Sequence, residues 1–567
     1  MKDVEKIIET KSCQKCQVSF DITDKDLEFY DKVSPVFGGN KCNIPTPSLC
    51  PDCRQQRRLA WRNERNLYKR ECDGTGRTII SMYSPEVSIP VYNEAFWWSD
   101  SWDAMKYGQE IDESKSFFEQ FDSLFQVVPQ PPLINNFVTH ENSDYANFSG
   151  NLQDCYLVFE TASSSNLQYA SDSRKCHNSL DLSLSTKLED SYQCIDCVRG
   201  HQLFYSKDCF DCSNSSFLLD CKNCEYCYGC TGLVNKKYYI NNVKYSKQNY
   251  FEERAKQDKQ KYIDDFFEGS KSRIVSHMHG EGNEFVSGDY VLHSKNVSDC
   301  YNAKNLENGK YCTFLVSSEP SKDCYDYDYF GSVSRVYEST TIGAESDSIL
   351  FSVNCWQQST RNYYSNMCFA CTDIFGCIGL KNQQYCIFNK QYSKQEYEDL
   401  VPKIIQRMGQ DREWGEFFPS SISPFGYNET VAHEYFPLAE NEGRGQGFNW
   451  SDYEAPFPKV EKTIPAHKLP RNIADIPDDI LNWAIECEVT KKPFRIIPQE
   501  LAFYRKHNIS IPKRHSNQRH LDRMALRNSR KLFERSCDKC DVKMLTTYSP
   551  ERPEKVYCED CYNKEIY

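Results

Sequence analysis

The chain has 567 residues, is 39% hydrophobic and carries 68 Lys and Arg against 81 Asp and Glu, a net charge of −13. That length supplies several domains with ample core, and no apolar run approaches the roughly 18 residues of a membrane-spanning helix. The charged start, Met1 to Lys6, lacks the apolar stretch of a secretory signal, so a cytoplasmic location is expected. There, 29 cysteines point to metal ligation or burial before disulfides.

Near the N-terminus, Cys13-x-x-Cys16 is followed by Phe20-Asp21-Ile22 and then by Cys50-Pro51-Asp52-Cys53-Arg54 at the start of a predicted helix. Two such pairs supply four thiolates for a tetrahedral zinc ion, a closed shell with no place for water or substrate. The second pair, at a helix start, lies among free N–H groups and the positive dipole end, which favours thiolate. Residues 1–105 therefore read as a zinc-binding module with one complete site: Cys13, Cys16, Cys50 and Cys53. In the connector 106–134, Phe117, Phe118, Phe121, Leu124 and Phe125 have helical spacing, and Pro129, Pro131 and Pro132 end that helix.

The middle of the chain holds 18 of the cysteines, from Cys155 to Cys386. From Cys155 to Leu233, every third residue belongs to a series of 27 positions without one charge, in a chain that is 26% charged. All ten cysteines of the stretch fall in this series. A neighbouring series is rich in Asn and Asp: Asn166, Asp172, Asn178, Asp181, Asp190, Asp196, Asp208, Asp211, Asn214 and Asp220. A second uncharged run goes from Cys300 through Cys312 and Cys324 to Ile342.

Neither a helix nor a regular strand points inward at every third residue. Short extended pieces joined by tight corners do, if the chain coils and each turn stacks on the last. Small Cys, Ser and Ala suit the narrow interior; Asn and Asp suit the corners. Cys176, Cys194, Cys212 and Cys230 recur at an interval of 18, as do Tyr192, Phe210 and Tyr228. That interval predicts a coil of about 18 residues with these side chains stacked in ladders.

The pairs Cys194/Cys197, Cys209/Cys212, Cys221/Cys224, Cys227/Cys230 and Cys368/Cys371 also have zinc-knuckle spacing. Their register is shared with Leu, Val, Ser and Ala, which cannot ligate, so buried packing is the preferred reading.

Cys221, Cys224, Cys230, Gly232, Leu233 and Ser246 recur 147 residues later as Cys368, Cys371, Cys377, Gly379, Leu380 and Ser393. The solenoid thus divides into halves, 135–265 and 266–408, each ending in a helical cap with Ser246 or Ser393 as N-cap. Residues 409–470, rich in Pro, Gly and acids, read as a linker.

Residues 471–567 repeat the N-terminal module. A shift of 474 carries Cys13, Phe20, Phe29 and Tyr30 onto Cys487, Phe494, Phe503 and Tyr504. A shift of 465 carries Arg54, Arg58, Arg62, Arg65 and Cys72 onto Arg519, Arg523, Arg527, Arg530 and Cys537. Cys537-x-x-Cys540 and Cys558-x-x-Cys561 form the second complete set. Each module has room for two sites and each copy has kept a different one. Cys72 stands alone, with Thr75, Asn93 and Phe96 where the other copy has cysteines; Cys487 and His515 remain as a weak two-ligand site. About two structural Zn2+ per chain are expected, one for each complete set of thiolates.

Cys13-x-x-Cys16, Phe20, Glu28-Phe29-Tyr30 and Cys50-Pro51-Asp52-Cys53-Arg54 resemble the bacterial probable zinc-binding, treble-clef domain family. The layout, including Phe117-Phe118-Glu119-Gln120-Phe121, the Cys-rich middle and Pro493-Phe494-Arg495-Ile496, resembles large zinc-ribbon proteins of candidate-phylum bacteria. The resemblance implies zinc at the matching cysteines and a treble-clef fold, without an activity. The second copy departs from the family pattern at His515 to Arg519. The expected fold class is mainly β: a two-part Cys-rich β-solenoid with helical caps, flanked by duplicated α+β treble-clef or zinc-ribbon modules.

Residues 54–70 carry seven basic side chains against Glu64, and residues 505–535 carry ten against Asp522 and Glu534. Arg54, Arg58, Arg62 and Arg65 share one helix face, repeated by Arg519, Arg523, Arg527 and Arg530. Arginine forks suit phosphate as well as carboxylate. In so acidic a chain the preferred targets are the solenoid, the other module or a protein partner; RNA or DNA is the alternative.

The function expected is a non-enzymatic zinc-binding scaffold or adaptor that docks a macromolecule, with no membrane role. A carbohydrate-active β-helix enzyme is the third reading, with His140, Glu141, His177, His201, Asp172 and Asp181 as its candidates; no H-E-x-x-H, G-x-S-x-G or P-loop pattern appears.

Overall fold

A computed structural model describes residues 5–268, 273–329, 333–340, 346–355 and 358–566. Two parallel β-coils form its centre. In the first, Tyr156 pairs with Gln168, and the ladder continues through Leu180, Tyr192, Phe204, Ser216 and Tyr228 to Ile240, always twelve residues on.

Every third residue from Asn151 to Asn241 lies in the left-handed region, including all ten Asn and Asp of the corner series, at φ 47° to 56°. Asn and Asp tolerate that conformation better than other non-glycine residues. The residue after each corner points inward. All 27 positions of the uncharged series are buried except Leu233. Three residues a side and twelve a turn make a four-sided tube.

The expected 18-residue coil is therefore corrected to twelve. An interval of 18 is one and a half turns, so Cys176 and Cys194 stand on opposite walls. The true stacks run Cys197, Cys209, Cys221, and Tyr192, Phe204, Ser216, Tyr228. A spacing of three is compatible with any turn length divisible by three; in the folded coil four corners close each turn.

So narrow a tube leaves backbone N–H groups facing its interior, and the inward side chains satisfy them. Ser164 Oγ accepts from Cys176 N at 3.1 Å, Ser179 Oγ from Ser191 N at 3.0 Å and Ser215 Oγ from Cys227 N at 3.0 Å. The inward thiols donate to carbonyls: Cys176 Sγ to Arg174 O at 3.5 Å, Cys212 Sγ to Cys221 O at 3.4 Å. Small polar side chains belong in this core because buried backbone groups need partners.

The second coil is less regular. Turns of fifteen residues (Leu306 to Ser321) and thirteen (Leu350 to Tyr363) interrupt the twelve-residue step, which resumes from Thr360 to Thr372. Ile342, the end of the second uncharged run, lies outside the described residues. Each coil ends in an antiparallel strand, Val243–Lys244 and Lys390–Gln391, followed by a helix. Ser246 accepts from Asn249 N and caps Lys247–Ala255; Ser393 caps Lys394–Gln410 in a reciprocal box with Glu396. Both N-caps form as expected.

The expected connector helix is Phe117–Phe125, capped by Ser116. Its apolar face joins Phe29 and Tyr30 of the N-terminal module against the second coil, with Tyr364, Phe375 and Phe388. The first part of the C-terminal module packs on the first coil, Leu501 and Tyr504 meeting Tyr192 and Tyr205, while its strand Lys555–Tyr557 pairs with Ile274–Ser276 of the second half.

The expected linker 409–470 is in large part a packed strap. Trp414, Phe417, Phe418, Phe425, Tyr427, Val431 and Phe448 are buried. Glu416 pairs with Arg57 of one module at 2.8 Å and Glu434 with His520 of the other at 3.0 Å. Aromatics spaced among Pro and Gly supply the apolar contact that a flexible linker lacks.

Candidate metal centres and arginine faces

At the first knuckle, Cys13 N donates to Val18 O and Gln17 N to Cys13 O, both at 2.9 Å. Gln17 closes the turn at φ 63°. Cys50 stands at the N-terminus of the helix Pro51–Leu59, with Pro51 in the first position and Cys53 in the first turn. The C-terminal knuckle repeats the geometry, with Cys537 N to Val542 O at 2.9 Å and Asp541 at φ 59°. Its second pair opens the helix Glu559–Ile566.

In each of the two groups, the four sulfurs lie within 4.8 Å of one another. Cys16 and Cys50 are 3.6 Å apart and Cys540 and Cys558 3.7 Å. Tetrahedral Zn–S bonds of about 2.3 Å require sulfurs about 3.8 Å apart, so both donor sets fit zinc. A bound ion would supply four-coordinate crosslinking of knuckle to helix, with no open position. The thiol of Cys53 hydrogen-bonds Cys50 and, against burial, pulls its thiol down to about 5. Burial opposes ionisation of Cys537, but the N–H groups of Cys558, Lys539 and Cys540 outweigh it and bring the thiol to about 6.

The central cysteines are a different population. Among the described residues the two terminal sets are the only groups of three or more Cys, His, Asp or Glu whose ligand atoms converge this closely. The inner thiols face the tube and bond to backbone instead.

The two incomplete sites keep the knuckle without the ligands. Cys72 N donates to Arg77 O at 2.8 Å and Cys487 N to Lys492 O at 3.0 Å. Asn93, in place of Cys558, donates its N–H to Cys72 Sγ at 3.1 Å and its amide to Thr75 Oγ1 at 3.0 Å. Phe96, in place of Cys561, lies over Gly74, where a Cβ would come within 2.7 Å of its ring; the complete copy has Lys539 there. The helix then buries Trp97, which with Trp98 and Trp102 surrounds Lys381 Nζ at 4.3 to 5.4 Å. At the other incomplete site, Cys487 Sγ accepts from Thr490 N at 3.5 Å, and His515 Nδ1 accepts from Asn517 N at 3.2 Å as a helix cap. Cys487 and His515 belong to neither convergent group.

The arginine faces are turned inward. Arg54 reaches Asp326 at 2.8 Å; Arg58 reaches Asp326 at 3.1 Å and Asp328 at 2.7 Å, all with buried side chains. Arg57 binds Glu338 at 2.7 Å. In the second module, Arg519 and Arg523 share Asp181 at 3.0 Å, and Arg527 reaches Asp196 at 2.9 Å.

Each arginine helix therefore grips one coil; the helices end at Leu59 and Met524, so Arg62, Arg65, Arg527 and Arg530 lie beyond the expected helix face, in the segments that follow, and reach toward the other coil. Arg62 is held by Glu64 and Glu160 and stacks between Phe148 of the first coil and Tyr329 of the second, at 3.8 and 3.7 Å. Arg65 contacts Ser171 and Asn517; Arg530 stacks on Tyr435 at 3.5 Å and Phe314 at 4.5 Å. Asp181, Asp196 and Asp326 are themselves left-handed corner residues. The Asn/Asp series was visible in the sequence; that some of its members receive arginines was not.

The candidates for catalysis do not assemble. Asp181 is spent on Arg519 and Arg523. Burial and the neighbouring charges of Glu64 and Glu160 push the Asp172 carboxyl well above the usual range. His140 and Glu141 are in the first strand of the first coil; His177 Nδ1 meets Ser165 Oγ at 2.8 Å, and His201 stands two turns further on. No family model, curated protein or solved structure matches this chain.

Proposed function

We propose that the chain is a non-enzymatic, zinc-binding cytoplasmic scaffold that docks a protein partner on its outer surface. The observation that carries this reading is the burial of both arginine faces against acidic coil residues. With Arg54, Arg58, Arg519 and Arg523 so paired, the modules act as clamps holding two coils in one body, and the nucleic-acid alternative loses its principal contact surface. The resemblance to the zinc-binding treble-clef family is supported by the two convergent knuckle–helix donor sets. The closed tetrahedral shells and the dispersed acid–base residues argue against the carbohydrate-enzyme reading.

Crosslinking the protein in its own cells, followed by mass spectrometry, tests the proposal. A reproducible protein neighbour attached at exposed coil or strap residues is expected. Recovery of RNA as the main crosslink, with affinity that falls steeply as salt rises, would overturn it. Metal analysis of the purified chain should give about two zinc ions, one for each convergent set.

A further inference from the structure

Where the C-terminal module meets the first coil, one cleft gathers chemistry that the scaffold reading leaves unused. Asp190, a left-handed corner residue, faces the end of the helix Pro498–Lys506. His201 Nε2 lies 4.0 Å from Asp190 Oδ2, and His507 Nε2 lies 3.8 Å from Oδ1. The His507 side chain is 8% exposed, and its Nε2 makes no hydrogen bond. Phe503 and Phe204 hold the ring, at centroid distances of 4.5 and 5.4 Å.

We propose that Asp190, His201 and His507 form a third, exchangeable site for a divalent transition metal such as Zn2+, separate from the two four-cysteine sets. Imidazole nitrogen and carboxylate oxygen each bind such an ion at about 2.0–2.2 Å, and a tetrahedral angle at the ion sets them about 3.4 Å apart. The two imidazole-to-carboxylate gaps, 4.0 and 3.8 Å, are about half an ångström wider and face different oxygens, so both close as the ion binds. Closing the site requires the His201 ring to turn toward His507, and at 47% exposure it is free to do so.

Burial, with the charge of Lys506, keeps His507 below its ordinary range, so the imidazole is the neutral form that ligates. Lys506 Nζ, 2.7 Å from Asp190 Oδ1, now supplies the positive charge. It is 57% exposed and can leave to solvent when an ion arrives. The site would bridge coil and module, adding a metal-dependent tie to the clamp.

The test uses the tag-free full chain, its four-cysteine sets first filled with zinc and the excess removed, titrated with Co2+ alone. One further equivalent is expected, with a spectrum lacking thiolate-to-cobalt charge transfer. His201→Ala and Asp190→Asn should weaken that uptake at least tenfold, His177→Ala should leave it unchanged, and Lys506→Gln should tighten it. No uptake beyond the thiolate-bound zinc, or equal uptake by the parent and His201→Ala, would overturn the proposal. Failure of the thiolate-site reading would appear separately, as zinc missing before the titration begins.

Discussion

The two end modules adopt the same knuckles and helices although each lacks metal donors that the other retains. The N-terminal copy has the thiols at its first site and, at its second, an amide, a hydroxyl and a phenyl ring. The C-terminal copy is the reverse. A knuckle turn therefore persists on its backbone bonds and one N–H···S contact, provided local packing replaces the crosslink. At Cys72 that packing is Phe96 and the tryptophans around Lys381. At Cys487 it is the His515 cap and the ion pairs of Arg514 with Glu488 and Asp522, at 2.8 and 2.9 Å.

The largest effect is expected from removing a ligand at a complete site. Cys16→Ser or Cys540→Ser should cost one zinc per chain and loosen its module, whereas Cys72→Ser and Cys487→Ser should leave the metal content unchanged. Elemental analysis and limited proteolysis compare the four; equal losses would erase the distinction between complete and incomplete sites.

Next come the clamps. Asp181→Ala leaves buried Arg523 with Ser183 and Gln193 but no carboxylate, and Arg519 with Glu500 alone at 3.5 Å, and should destabilise the protein by about 3–5 kcal/mol. Asp326→Ala should cost less, because Arg58 retains Asp328 and Arg54 retains Glu338 at 3.9 Å. Chemical denaturation measures the pair, and the reverse order would mean that the two faces do not bear load as their geometry implies.

A pH dependence follows from the seam between the coils. Burial disfavours the charged form of His279, but Asp289 and Asp208 outweigh it and raise the imidazole to about 9, from an ordinary 6.5. The folded value lies above the unfolded one, so the stabilisation is fully present below pH 6.5 and is lost as pH rises through 9. It amounts to about 1–3 kcal/mol. Melting of the parent and His279→Gln between these limits should show that slope in the parent only.

The smallest difference lies between the helical caps. Ser393→Ala should cost about 1 kcal/mol and Ser246→Ala somewhat less, because only Ser393 completes a capping box. Thermal melts of the two variants read the difference.

Much of this was legible in the residues. The uncharged series identifies the interior, the Asn/Asp series identifies the corners, and Ser246 and Ser393 identify the caps, because each is a short-range consequence of side-chain chemistry. The two C-x-x-C sets mark the convergent thiols for the same reason. The buried aromatics of the strap were hidden by their Pro- and Gly-rich surroundings, and the cleft at Asp190 joins residues more than 300 positions apart.

Local chemistry alone dictates which side chains face inward and where the backbone turns left-handed, since sterics and polarity act within three residues. That four corners close a turn, which coil each module grips and which acids meet which arginines emerge only once the chain is folded. Those outcomes depend on ring closure and on partners brought together from distant parts of the chain, and no local spacing encodes them.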